Sequence, residues 1–66
     1  MLNQNEFNAV TSLVAYVAYA QNMNEEKIHA AFKSVFGVAD IKALPPAQYD
    51  EAMRFLLDLR FDGVIN

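Results

Sequence analysis

His29 is the only imidazole in a chain of 66 residues, and no cysteine is present to join it. Metal sites draw on several ligands at helical or loop spacing, so neither a metal nor a cofactor is expected. On a helix His29 falls at the margin between an apolar stripe and solvent, which reads as a boundary residue rather than a ligand, base or pH sensor. Glu25 and Glu26 are adjacent, so they point in different directions, and their simplest role is at a helix start, where the dipole favours negative charge. Asp50, Arg54 and Asp58 recur at i, i+4 and i+8. With Glu51 they form a solvated charged face whose pairs are worth about a few tenths of a kcal/mol each. No glycine-rich phosphate loop, nucleophile elbow or set of Ser, His and acid is found. No catalytic residue is assigned, and enzyme activity is not expected.

The elements that would carry these residues are organised around an uncharged apolar run, residues 9–20. At about 100° per residue, Phe7, Val10, Val14, Val17 and Ala18 share one stripe, and Ala9, Leu13, Tyr16 and Ala20 share the stripe beside it. Together they span roughly 200°, against the little over 100° that an ordinary surface helix needs. Asn8, Thr11, Ser12, Ala15 and Tyr19 occupy the remaining side. One reading makes this the central helix of a single small core. The other has one stripe meeting the chain's own helices while the second meets another copy or a different partner.

Helix one is predicted from about residue 4 to residue 22, after a polar lead-in in which Asn3 or Asn5 can cap. Helix two starts at an Asn24 cap with Met23 stapled on Ile28, and buries Ile28, Ala31, Phe32, Val35 and Phe36. Gly37 ends it in the left-handed conformation. Val38, Ile41 and Leu44 are spaced by three, which predicts a turn-like path with Asp40 as its cap. Pro45 and Pro46 mark the next helix start, with Leu44 stapled on Tyr49. Helix three is predicted to run to about Phe61, with Tyr49, Ala52, Met53, Leu56 and Leu57 inward and Phe55 and Leu59 widening the stripe. Gly63 closes it, and residues 64–66 form a tail. No repeat, low-complexity tract or linker divides the chain, so residues 1–66 read as one all-α, three-helix domain.

A single core of this size gives only a few kcal/mol of net stability, and without cysteine no disulfide adds to it. Oligomerisation is the remaining common remedy, and the 55% hydrophobic content exceeds the usual share of about 45 to 50%. The net charge of −3 and pI near 4.7 argue against gripping nucleic-acid phosphates, which needs a clustered basic surface. Lys27, Lys33, Lys42, Arg54 and Arg60 are scattered along the chain. A DNA-reading helix should offer Arg, Lys, Asn or Gln along one edge; helix three offers Gln48, Glu51, Arg54 and Asp58. Tyr16, Tyr19 and Phe7 lack the interleaved cations of a base-stacking surface. The start carries no basic signal region, and the apolar run falls short of the roughly 20 residues that cross a bilayer. The expected location is the cytoplasm, with no membrane partner.

Phe36, Gly37, Val38, Ile41, Leu44, Pro45, Tyr49, Ala52, Phe55 and Leu56 follow a pattern that resembles a short module at the carboxyl ends of phage- and plasmid-borne proteins, antirepressor-like and single-strand-annealing-like ones among them. The resemblance covers about a third of the chain. It implies a helical fold and a mobile-element origin and carries no active-site residue; in the proteins it resembles, such a module usually follows a larger domain.

The leading expectation is a small non-enzymatic interaction module that forms a homodimer through the spare stripe of helix one and modulates an unidentified protein partner. The interface candidates are Ala9, Leu13, Tyr16 and Ala20, joined by Phe55 or Leu59. The alternative is an accessory regulator of nucleic-acid transactions that contacts DNA weakly or through a partner.

Overall fold

The computed structural model describes residues 1–60. Three α-helices follow in order: α1 (Gln4–Ala20), α2 (Glu25–Phe36) and α3 (Tyr49–Asp58). Two single 3₁₀ turns, Ile41–Ala43 and Pro46–Gln48, lie between α2 and α3. Phe61, Gly63 and residues 64–66 lie outside the described residues, and with them the predicted glycine stop and tail.

The helix ends are set by specific side chains. Asn3 is the cap of α1: its side chain accepts from the Glu6 amide at 2.8 Å while the Glu6 carboxylate accepts from the Asn3 amide at 3.0 Å. This reciprocal capping box satisfies two amides that the helix cannot satisfy internally. Asn24 caps α2 by accepting from Lys27, with Glu25 and Glu26 in the first turn. Asp40 caps the first 3₁₀ turn by accepting from the Ala43 amide at 3.0 Å.

Helix α1 stops at Ala20, two residues before the predicted end. Asn22 takes a left-handed conformation at φ 55, and its amide bonds to Tyr19 while that of Met23 reaches back to Ala18. These two bonds are the Schellman pattern, with asparagine standing where glycine is commoner. Gly37, at φ 65, closes α2, and the amides of Gly37 and Val38 both donate to the Lys33 carbonyl. Helix α3 ends at Asp58, short of the predicted Phe61, because Leu59 is extended at ψ 129. Its open carbonyls find other donors: Gln21 Nε2 reaches Leu59 at 2.7 Å, and Arg60 Nη1 reaches Leu57 and Leu59.

Val10, Val14, Val17 and Ala18 of α1 join Ile28, Phe32, Ile41, Leu44, Ala52 and Leu56 in one buried cluster. Helix α1 packs against both α2 and α3. The latter two meet through aromatic rings: Phe55 stands edge-on to Phe36 at 5.6 Å and to Phe32 at 6.3 Å. Leu2, read from sequence as part of a polar lead-in, is buried, and its amide donates to the Lys42 carbonyl at 3.1 Å. The chain start is thereby tied across the 3₁₀ turn.

Two residues assigned to the core lie outside it. Val35 is 61% exposed and Leu57 is 58% exposed. The ring stack of Phe32, Phe36 and Phe55 draws the packed side of α2 toward α3, which leaves Val35 on the other flank of the last turn. Leu57 sits about 100° round α3 from Leu56, and Leu56 is fully buried.

Phe32 is the largest fully buried side chain. Phe32→Ala is expected to cost about 3 to 5 kcal/mol, enough to unfold most of a domain this small at 25 °C. Val35→Ala is expected to stay within about 0.5 kcal/mol of the parent. Urea denaturation followed by circular dichroism checks both; equal effects at the two positions would contradict this packing.

Candidate functional site

No group of three or more His, Cys, Asp or Glu side chains gathers among the described residues as a metal site would require. What the fold offers instead is two depressions flanking α1 and, between them, the outer face of that helix.

The outer face has an unusual composition. From Phe7 to Asn24 the chain carries no Asp, Glu, Lys or Arg, so the exposed residues of α1 beyond its first turn, Asn8, Ser12, Ala15, Tyr16, Tyr19 and Ala20, form an uncharged strip. Tyr16 is 64% exposed and Tyr19 is 85% exposed. The middle of the strip is small, at Ser12 and Ala15, and its C-terminal end is aromatic.

Beside this end, between α1 and α3, lies a groove of about 270 Å³ lined by Tyr16, Val17, Ala20, Gln21, Leu57 and Arg60. Among the described residues Arg60 is the single charged one of the lining, and its guanidinium is engaged with the Leu57 and Leu59 carbonyls. The groove thus presents a tyrosine ring, an alanine and a leucine to solvent with one oriented cation at its edge.

The six residues singled out from sequence divide across this geometry. Tyr16 and Ala20 are exposed and line the groove. Ala9 and Leu13 are half-buried, and Leu13 packs against the core. Leu59 is half-buried behind Gln21. Phe55 lies on the α2 side of α3, in contact with Phe32 and Phe36. Leu57 completes the groove in its place; its distance round the wheel from Ala52 and Leu56 was the signal that could have found it.

The second depression, about 310 Å³, lies between α1, α2 and the Ile41–Ala43 turn. Phe7, Thr11, His29, Lys33, Asp40, Ile41 and Lys42 line it. The Lys42 ammonium stands 4.9 Å over the Phe7 ring and 3.4 Å from the Gln4 side-chain oxygen. Sequence spacing did not bring these residues together, because Phe7 and Lys42 come from opposite halves of the chain.

Asp50, Glu51, Arg54 and Asp58 are all exposed on α3. Among the described residues no helix is long and apolar enough to cross a membrane. No family model, curated protein or solved structure matches the chain.

The burial pattern separates the groove from the core energetically. At low micromolar concentration Tyr16→Ala and Leu57→Ala are each expected to change unfolding free energy by less than about 0.5 kcal/mol. Leu13→Ala is expected to cost about 1 to 2 kcal/mol, less than a fully buried leucine would. Urea titration of the three variants checks this order, and a larger loss at Leu57 than at Leu13 would reverse it.

Proposed function

We propose that this chain is a small non-enzymatic interaction module that pairs with a second copy of itself through the outer face of α1 and the groove beside α3, and that in this form it modulates a partner protein. The observation that carries the reading is the pair of exposed tyrosines and the exposed Leu57 flanking a helix face without charge. A chain with net charge −3 repels its own copies. The strip from Asn8 to Ala20 holds none of the eight carboxylates, so it is where two copies approach at least electrostatic cost. Ser12 and Ala15 allow close backbone approach, and tyrosines supply large contact area with little rotamer entropy to lose.

The dimer is isologous in this reading, each α1 meeting its equivalent about a twofold axis. Burial of the tyrosines and Leu57 adds stability to a domain whose own core is small. The resemblance of residues 36–57 to modules of phage- and plasmid-borne proteins supports a mobile-element setting for the partner. The positions in that resemblance are helix stops, helix starts and core contacts, so it bears on the fold and origin and leaves the α1 face as the site of action.

Sedimentation equilibrium from about 1 to about 100 µM, a range that spans micromolar affinities, tests the pairing. The parent chain is expected to pass from monomer to dimer across it, and Tyr16→Glu to remain monomeric with its helical circular dichroism kept. A parent chain that stays monomeric throughout would remove the reading.

A further inference from the structure

The cleft on the other flank of α1 has the chemistry of a ligand site, and we infer that it binds a small aromatic anion, a ring bearing one carboxylate or phosphate. The inference is independent of the dimer, since Phe7 and Thr11 lie on the opposite side of α1 from Tyr16 and Ala20.

Charge is the first observation. The chain holds five lysines and arginines and one histidine, yet Lys33, Lys42 and His29 line this single cleft. They come from α2 and from the turn after it, so folding gathers positive charge that the sequence scatters. His29 and Lys33 sit one turn apart on α2, and among the described residues neither side chain has a hydrogen-bond or ion-pair partner. A ring nitrogen of His29 can donate in either protonation state, and the lysine ammonium offers three donors.

The competing negative charges are weaker. Among the described residues Asp40 is the one carboxylate of the lining, and its Oδ1 accepts the Ala43 amide. The C-terminal end of α2 adds a partial charge of about minus one half nearby. Two ammonium groups outweigh the sum, and His29 adds a directed donor without adding negative charge.

The cleft also has an apolar wall. Ile41 is buried at its base, and the Phe7 ring is half-buried with Lys42 above it. A flat ring can lie against Phe7 and Ile41 while its acidic group reaches Lys33, His29 and Lys42. The volume of about 310 Å³ lies at the lower end of the range for ligand sites, about 300 to 1,000 Å³, which is room for a small ring-bearing molecule.

Two-dimensional ¹H–¹⁵N nuclear magnetic resonance on the full chain tests the inference, with benzoate and phenyl phosphate as probes, inorganic phosphate as the acidic group alone and benzyl alcohol as the ring alone. At least one of the two aromatic anions is expected to give saturable shifts confined to Phe7, Thr11, His29, Lys33 and Lys42, and to bind at least about five-fold more tightly than either fragment. Whether benzoate or phenyl phosphate saturates first assigns the acidic group. Lys33→Gln, at an exposed position, is expected to weaken binding by about ten-fold or more, the scale of one charged hydrogen bond, while leaving the remaining amide spectrum unchanged. Phe7→Leu, which keeps an apolar side chain but removes the ring, is expected to weaken the aromatic anions and leave inorganic phosphate unaffected. Absence of saturable shifts with both aromatic anions, shifts spread over Lys27, Arg54 and Arg60, or binding indifferent to Lys33→Gln would each overturn it.

Discussion

Burial of the valine stripe of α1 is the constraint on which the rest of this fold depends. Valine is a poor helix former, so a helix with Val10, Val14 and Val17 along one side draws its stability from what covers that side. Each buried valine contributes on the order of 1.5 kcal/mol, and all three are buried in one cluster with Ile28, Phe32, Leu44 and Leu56. Helices α2 and α3 both pack on this stripe, and across the gap between them it is the rings of Phe32, Phe36 and Phe55 that meet. Helix α1 is therefore the hub, and the aromatic cluster locks the two outer helices at their meeting point.

Much of this was legible in the residue pattern because the relevant physics is local. Asn24 before two glutamates, Gly37 after an amphipathic stripe and Asp40 before a short turn are each read from one residue and its near neighbours, and each occupies the structural position that such residues favour. The departures have a different cause. Asn22 ends α1 through left-handed backbone, which asparagine adopts less often than glycine, so the polar residues 21–24 mark the break without fixing the residue at which the helix stops. Leu2 looks like an isolated apolar residue in a polar segment; only the return of the chain at Lys42 gives it a place to be buried. Leu57 and Val35 satisfy a helical spacing rule yet lie outside the sector that neighbours cover, because periodicity states which residues share a face without stating how wide the covered face is.

The same distinction governs the functional surfaces. The excess of apolar circumference on α1 was visible in sequence, since it needs only the helical wheel, and the exposed end of that excess is Tyr16 and Ala20, with Tyr19 exposed beside it on the side read as polar. Which residues of α3 accompany it was not visible: Phe55 turns toward α2 and Leu57 toward α1, a choice made by the rotation of α3 about its own axis. The basic cleft was invisible for a stronger reason, because its walls come from residues about 35 positions apart in the chain. Both surfaces nonetheless flank the same helix, so the element that organises the core also spaces the groove and the basic cleft on which the two proposals rest.

The central claim is that α1 serves a core on one side and a second copy on the other, and thermal unfolding as a function of protein concentration tests it most directly. Coupling of folding to association makes the midpoint rise with concentration, by about 5 °C or more over a hundred-fold range for a domain of this size. A midpoint that holds constant across that range would contradict the account, since the uncharged face of α1 would then add nothing to the stability of the fold.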